Sequence, residues 1–580
     1  MPLNSRHCGA AVMWSVAFVT TSAHAMAQIP RPVTVTVGST IAGPAGAIAD
    51  LIGVQQTPFT FNENFRNAWG EAAFNEIGFD VDDIAIQGEQ GHSDPTTGHI
   101  TLALQQPSIG FTLTASGIHY DFSRVDARIR YLKDVLHVRR IGFGWFGGIP
   151  AMLDPASLHD ATVMDAGTGT PVHYSGKSAS SYAPFDYALW QRAYRDIVHH
   201  IAVDLHMPGA HYAAPWEAEI CGWRGVWAHH YENCHNSKDA FGILDDYVEV
   251  YARVFQTIKS ADPTAVVSGP LTATVDRALE GTLWSVPEFL DRLHRYIIAH
   301  PQERVGLDEV HFQNYLYPKN GTLRDILDVV TQALIDSHFC ADRNSCHIPM
   351  TVTGWNADFL FNDPTNPFYQ KGKASMRPLQ RQAFLVGNIM REVAPQNGPR
   401  RLTRAFLWPL DTDFGEDSFS AVFYPDFFAY SDPPNGAVRQ QAVAVADRYK
   451  APAFASLKLL AEMKSDEFIL RVESSDDHLW TLATSVNRGA ILHLLLANYA
   501  STAATVLPRI GSLDLVNATA EMILQRVDAV HSSDGKGLES GQKRWIHVPP
   551  SGLLPEITLP PYAVARLTLK IKPPTPSGLN

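Results

Sequence analysis

Cysteine is scarce in this chain, five in 580 residues, and charged residues make up only 18% of it. No CxxC pair occurs. His199-His200 and His229-His230 lack the i, i+4 spacing that sets two ligands on one helix face, so neither residue type supports a metal site. Basic residues are also in deficit, 46 Lys and Arg against 59 Asp and Glu, for a formal charge of -13. That balance argues against nucleic acid or an anionic lipid surface as partner and suits a neutral substrate. No GxGxxG or P-loop pattern follows any candidate strand, so no nucleotide or other cofactor is expected. Internal repeats, low-complexity tracts and charge runs are missing too. The apolar run Gly9–Val19 is too short to span a bilayer, and no later segment is long enough, so no transmembrane segment is expected. With Arg6 and His7 before it and Ala23-His24-Ala25 and Ala25-Met26-Ala27 after it, that run reads as an export signal over residues 1–27. The expected location is periplasmic or extracellular. Removing the signal takes Cys8 and leaves Cys221, Cys234, Cys340 and Cys346, an even number that fits disulfides in an exported chain. The local pairings Cys221–Cys234 and Cys340–Cys346 would each staple one loop.

What is present is a long series of alternating strands and helices. Val33-Thr34-Val35-Thr36-Val37 alternates with period two and reads as an isolated first strand. Residues 39–82 are rich in Gly, Asn and Ala and carry little pattern. From Tyr120 the signal improves, with a helix through Leu136 and a buried strand over Val138–Trp145. Helices follow at about Tyr187–Leu205, around Leu244, Tyr247, Tyr251, Phe255 and Ile258, at Pro287–Ala299, at Leu323–His338 and along Leu379, Ala383, Val386, Met390 and Val393. Between them lie apolar strands at His211–Trp216, Ala265–Pro270, Glu309–Phe312, Pro349–Thr353 and Ala405–Trp408. This repetition predicts a (β/α)8 TIM barrel over residues 51–465, closed by a helix at Pro452–Lys464. Beyond it the runs Leu479–Ala483, Ile491–Ala497, Leu513–Val516 and Ala563–Ile571 predict a C-terminal β-sandwich domain over residues 466–580. The N-terminal strand, within residues 28–50, is expected to join it.

In a parallel barrel the C-terminal strand ends carry the chemistry. Here those ends are Trp216-Glu217-Ala218-Glu219, Gln313-Asn314-Tyr315, Gly354-Trp355-Asn356, and Trp408 with Asp411 and Asp413. Indole faces suit the C–H faces of sugar rings, and amides and carboxylates suit their hydroxyls. Each residue has a plainer explanation alone, since strand-end Trp often packs and Asp often caps a helix. Together they point to a carbohydrate site, with Trp216, Asn314, Tyr315, Gly354, Trp355, Asn356 and Trp408 as substrate-contacting candidates.

The order of features resembles glycoside hydrolase family 39, which holds β-xylosidases and α-L-iduronidases within the clan of two-glutamate retaining barrels. The resemblance covers about residues 115–570. It runs through Tyr120-Asp121-Phe122-Ser123, Ser268-Gly269-Pro270, Thr353-Gly354-Trp355-Asn356, Leu407-Trp408 with Asp411, Tyr449-Lys450-Ala451-Pro452-Ala453-Phe454 and Leu559-Pro560-Pro561-Tyr562-Ala563-Val564. It implies glycosidase activity on a sugar substrate. The family's acid/base motif Trp-Asn-Glu-Pro corresponds to Trp216-Glu217-Ala218-Glu219, which leaves Glu217 and Glu219 both open as the acid. The family's nucleophile motif Thr-Glu-Trp-Asn corresponds to Thr353-Gly354-Trp355-Asn356, with glycine where the nucleophilic carboxylate belongs.

A retaining mechanism needs two carboxyls about 5 Å apart, and Gly354 supplies none. An inverting enzyme remains open, with Glu217 or Glu219 as acid and a base about 6.5–9.5 Å away. Asp411 is the candidate base, Asp413 a second, and Asp358 a less convincing third. A sugar-binding protein without turnover and a purely structural envelope protein are the competing expectations. Restoring the carboxylate by Gly354→Glu is expected to create retaining activity.

Overall fold

Eight short strands carry most of their apolar residues on one face, which points outward to a ring of helices, with Phe406 of the eighth strand an inward exception beside Arg404 and Gly53. They are β1 (Gly53–Gln55), β2 (Asp80–Ala85), β3 (Ile141–Gly144), β4 (His211–Ala213), β5 (Val266–Thr272), β6 (Glu309–Tyr315), β7 (Met350–Asn356) and β8 (Leu402–Leu407). All pair in parallel in chain order, and β8 closes on β1 through Phe406–Gly53 and Leu407–Val54, giving the TIM barrel expected from the alternation. The structure, a computed structural model, describes residues 30–55, 68–85, 92–93, 100–101, 109–114, 117–144, 161–164, 171–174, 187–215, 218–219, 240–272, 275–276, 283–315, 322–356, 378–394, 400–407, 452–511, 515–529 and 542–571.

Val54, Val81, Phe143, Tyr212, Val267, Val310, Phe312 and Val352 face the helices and form one core with them. The helix Ala240–Ala261 presents Leu244, Tyr247, Tyr251 and Ile258 at the spacing read from the sequence. The helix Val286–Ala299 starts where Ser285 N–H donates to Glu288 Oε2 at 2.8 Å, a reciprocal cap that sets its first turn. Between the helix Leu323–Asp336 and β7, Cys340 and Cys346 form a disulfide with Cα atoms 5.0 Å apart. Cys221 and Cys234 lie outside the described residues.

The inward face is polar, which is unusual for a barrel interior. Asp82, His211, Glu309 and Arg404 come from β2, β4, β6 and β8, the alternate strands that share a layer. Arg404 Nη2 donates to Glu309 Oε1 at 3.1 Å and bonds His211 Nδ1, while its Nη1 lies 3.7 Å from Asp82 Oδ2. Room for this layer comes from small neighbours, since a β-carbon on Gly142 would overlap the Asp82 carboxylate. Burial opposes ionisation of Glu309, but the Arg404 guanidinium outweighs it and holds the carboxyl well below the usual range.

Six further strands form three two-stranded sheets, His92–Ser93 with Ile100–Thr101, Gly110–Thr114 with Gly117–Asp121 and Ala161–Met164 with Pro171–Tyr174, and nine build one sheet that curls around a second core of Val33, Val35, Leu470, Leu494, Leu567 and their neighbours. Its strands include Phe468–Ser474, Leu479–Val486, Ile491–Asn498, Ala504–Ile510, Thr519–Val527, Gln542–His547, Ile557–Leu559 and Val564–Ile571. The strand Arg31–Pro44 lies inside this sheet, antiparallel to Phe468–Ser474 and parallel to Ala504–Ile510. Leu513–Val516 reads as a strand in the sequence, but Leu515–Asn517 is a turn leading into Thr519–Val527. Apolar residues at a turn carry no period, so a four-residue run could not separate the two.

The sheet seats on the barrel helices Pro378–Val393 and Pro452–Glu462. Trp480 packs where Gly387 has no side chain, and a β-carbon there would sit inside the indole. Arg391 lies over the Trp480 ring at 5.2 Å, and Tyr499 stacks on it at 4.8 Å. Gln382 Nε2 donates to the carbonyls of Tyr562 at 3.1 Å and Val527 at 3.3 Å, tying barrel to sheet by two hydrogen bonds. Among the described residues no helix is long and apolar enough to cross a membrane.

Candidate active site

The mouth of the barrel is built upward from the polar interior. Above the charged layer, His311 of β6 bonds Ser268 Oγ of β5 through Nδ1 and Thr353 Oγ1 of β7 through Nε2, both at 2.9 Å. Burial pushes the His311 imidazole down to about 4, so it is neutral and gives one nitrogen as donor and one as acceptor to the two hydroxyls. The triad fixes three neighbouring strands just below their C-terminal ends.

One step above Thr353 is Gly354, whose φ of +59 lies in the left-handed region that disfavours any side chain. A β-carbon there would point into the barrel. It would stand 3.1 Å from Gln313 Cδ, closer still to Gln313 Oε1, and 3.1 Å from Gln55 Oε1. Gln313 is the last buried inward residue of β6, and Gln55 ends β1. Two uncharged amides therefore converge on the place from which a β7 carboxylate would extend. Gln55 does not stand out in the sequence, and Gln313 does so only as the first residue of the strand-end cluster Gln313-Asn314-Tyr315, without a role of its own. The signal that could have found Gln313 is the alternation Glu309, His311, Gln313 within an apolar strand, which puts three polar side chains on the inward face.

Glu219 follows β4 and is fully buried, and its carbonyl accepts the Leu283 N–H at 2.8 Å. Its charge bears on Tyr247, whose hydroxyl is pushed well above its usual range by burial first and by Glu219 second. That hydroxyl lies 3.0 Å from the Pro215 carbonyl and 2.5 Å from the Pro270 carbonyl, so it clamps the exit of β4 to the end of β5. The Tyr247 ring packs on Trp284 at 4.9 Å. Among the described residues, Gln55 Oε1, Thr272 Oγ1 and Trp284 Nε1 are buried without a hydrogen-bond partner. Gln55 and Thr272 end β1 and β5, and Trp284 stands just before the helix Val286–Ala299; other buried atoms without a partner, such as Asp82 Oδ2 and Tyr212 Oη, lie deeper in the barrel.

Of the residues picked out from the sequence, Gly354 sits at the mouth end of β7 and Glu219 just beyond β4. Asn314 and Tyr315 end β6, and Trp355 and Asn356 end β7, by their backbone positions. Trp216, Glu217, Asp358, Trp408, Asp411 and Asp413 lie outside the described residues. Among the described residues no group of three or more His, Cys, Asp or Glu is arranged to hold a metal ion.

No protein-family model matches the chain, and no curated protein does. Solved structures do. A GH39 enzyme from Xanthomonas axonopodis pv. citri superposes with a TM-score of 0.57 at 16% identity, over 96% of this chain and 100% of its own. A monomeric β-xylosidase from Caulobacter crescentus gives 0.56 at 14% identity, and a glucosidase from Croceicoccus marinus gives 0.55 at 14%, each over 93% of this chain and all of its own. At these identities the likeness is one of fold, a barrel with its appended β-domain spanning the whole of each chain.

Proposed function

We propose that the protein is an exported glycoside hydrolase-like protein acting on glycosidic bonds of an oligo- or polysaccharide. The observation that carries this reading is the mouth itself. Gln55, Thr272 and Gln313, at the ends of β1, β5 and β6, stand with Gly354 of β7 at one end of a barrel whose fold is that of a GH39 enzyme and a β-xylosidase. Trp216, Asn314, Tyr315, Trp355, Asn356 and Trp408 supply the sugar contacts in this reading.

The amides at Gly354 favour an altered mechanism. Gln55 and Gln313 can hydrogen-bond a hydroxyl or orient water, but neither can form a glycosyl ester, so double displacement from β7 has no nucleophile. The route left is single displacement. Glu219 or Glu217 protonates the leaving oxygen, and Asp411 takes the proton of an attacking water, inverting the anomeric centre. Purified protein assayed on aryl xylosides, aryl glucosides and xylo- and gluco-oligosaccharides tests this. Turnover lost in Glu217→Gln/Glu219→Gln supports it, and unchanged turnover in that variant counts against it.

A second reading is favoured by one specific observation, the complete burial of Glu219. A carboxyl with no exposed surface suits a cleft that binds sugar and does not cut it. Ligand-dependent tryptophan fluorescence with no product from any of these substrates would support that reading.

A further inference from the structure

Gln55 is held at the mouth at a cost that nothing in the fold offsets. It ends β1, faces inward while Val54 faces the helices, and is 1% exposed. Its Oε1 is buried without a hydrogen-bond partner. An amide oxygen left so forfeits its hydration outright, which native structures rarely tolerate without a reason. The surroundings show why no donor reaches it. The side chain passes β8, which lies between β1 and β7, and brings Oε1 to 3.1 Å from where a Gly354 β-carbon would stand. Gly354 has no side chain to offer, and Gln313 turns its own Oε1 to the same place. Asp82, the cross-strand neighbour of Gln55 on β2, carries a carboxylate, which accepts. Two residues before Gln55 on the inward face, Gly53 lies against the apolar ring of Phe406. Arg404 stacks over that ring at 5.4 Å and directs its Nη atoms to Glu309, His211 and Asp82. Among the described residues, acceptors and an aromatic ring thus stand beside and below Gln55, and the direction left for a donor is the mouth.

We propose that Gln55 is a specificity-determining residue of the mouth, its Oε1 accepting a hydrogen bond from one hydroxyl of an uncharged sugar. The inference rests on the carbohydrate reading of the mouth. A sugar hydroxyl both donates and accepts, so it answers the amide oxygen and keeps a lone pair for another partner. A carboxylate or ether oxygen at the same place brings no hydrogen and leaves two acceptors face to face. Gln55 is almost wholly shielded from water, so an analogue lacking that hydroxyl leaves the amide oxygen unpaired again and is rejected more strongly than at an exposed contact.

The test is calorimetric binding of nitrophenyl β-xyloside, nitrophenyl β-glucoside, xylotriose and cellotriose to the full protein and to Gln55→Met, which keeps the length of the side chain and removes the acceptor. Monodeoxyfluoro analogues of these ligands, each replacing one hydroxyl by a fluorine that cannot donate, are measured beside them. Binding by the wild type is expected to weaken by about tenfold or more in Gln55→Met, and by as much for one fluoro analogue. That analogue should bind Gln55→Met no more weakly than its parent does. The thermal midpoint of Gln55→Met should equal or exceed that of the wild type, because an unpaired acceptor has gone. Unchanged sugar binding in Gln55→Met would overturn the proposal while leaving the mouth reading intact, and a lowered midpoint beside it would assign Gln55 to the fold through an internal water. A fluoro penalty equal in the two proteins would place the hydroxyl on another residue and overturn it. If Gln55→Met does not fold, the fluoro analogues on the wild type support the proposal when one binds more weakly than its parent and overturn it when none does. No sugar bound by the wild type would sink this inference and the carbohydrate reading together.

Discussion

At the scale of a single residue, Gly354 sits at the end of β7 where the side chains of Gln55 and Gln313 converge. Its positive φ and the glutamine amides beside its missing β-carbon make any side chain there strained. Gly354→Ala is therefore expected to destabilise the protein by about 1–3 kcal/mol in urea denaturation, and an unchanged midpoint would mean the amides move freely aside. Gly354→Glu alone is not expected to create retaining activity, because Gln313 occupies the path of the new side chain. Gly354→Glu/Gln313→Ala removes that block, and activity on aryl glycosides in the double variant but not the single one would show that the glutamine replaced the carboxylate in space. His311 makes a second residue-scale prediction. Histidine in the unfolded chain titrates near 6.5, whereas burial holds folded His311 at about 4. Between these values the unfolded state binds the extra proton. Its contribution is thus intact above pH 6.5 and is lost as pH falls toward 4, by about 3 kcal/mol in all. Glu309, held low by Arg404 against its own burial, adds a further loss below the usual carboxylate range. Chemical denaturation at pH 7 and pH 4.5 should show the first loss, and His311→Asn should flatten the slope between them.

At the scale of elements the barrel interior behaves as one ionic layer rather than four separate residues. Arg404 answers two carboxylates, Glu309 and Asp82, in a buried setting. Arg404→Met leaves both uncompensated and is expected to cost about 3–5 kcal/mol, or to prevent folding. Arg404→Met/Glu309→Leu should recover part of that loss, since replacing both partners removes one uncompensated charge. Full additivity of the two single variants would contradict the layer. This layer also explains which elements were legible in the sequence. Strands such as Ala265–Pro270 and Ala405–Trp408 stood out because their outward faces are apolar and their flanking helices repeat every three to four residues. The three-residue strand Gly53–Gln55 is too short to show any period and lay in a glycine-rich stretch. No inward role for Glu309, His311 or Arg404 was readable, because periodicity gives two faces without saying which one is inside. In the β-domain, Thr519–Val527 escaped notice because Met522, Ile523 and Leu524 run together without alternation, and Gln542–His547 because Trp545 and Ile546 are its only apolar residues.

For the whole molecule, the barrel and β-domain form one piece through the contact of Trp480 with Gly387, Arg391 and Tyr499. Gly387→Val would drive a side chain into the indole and is expected to cost about 1–3 kcal/mol. Calorimetry of that variant should split a single unfolding transition into two, and one unsplit transition at the wild-type temperature would show that the contact is dispensable. The candidate site was legible only in outline. Gly354-Trp355-Asn356 reads as a strand end, but the approach of Gln55 and Gln313 to it is a matter of three strands meeting, which no local pattern records. Single displacement past Gly354 is tested most directly by proton NMR of the sugar first released from a xylo- or gluco-oligosaccharide. The inverted anomer is expected from the wild type, and release of the retained anomer would contradict single displacement.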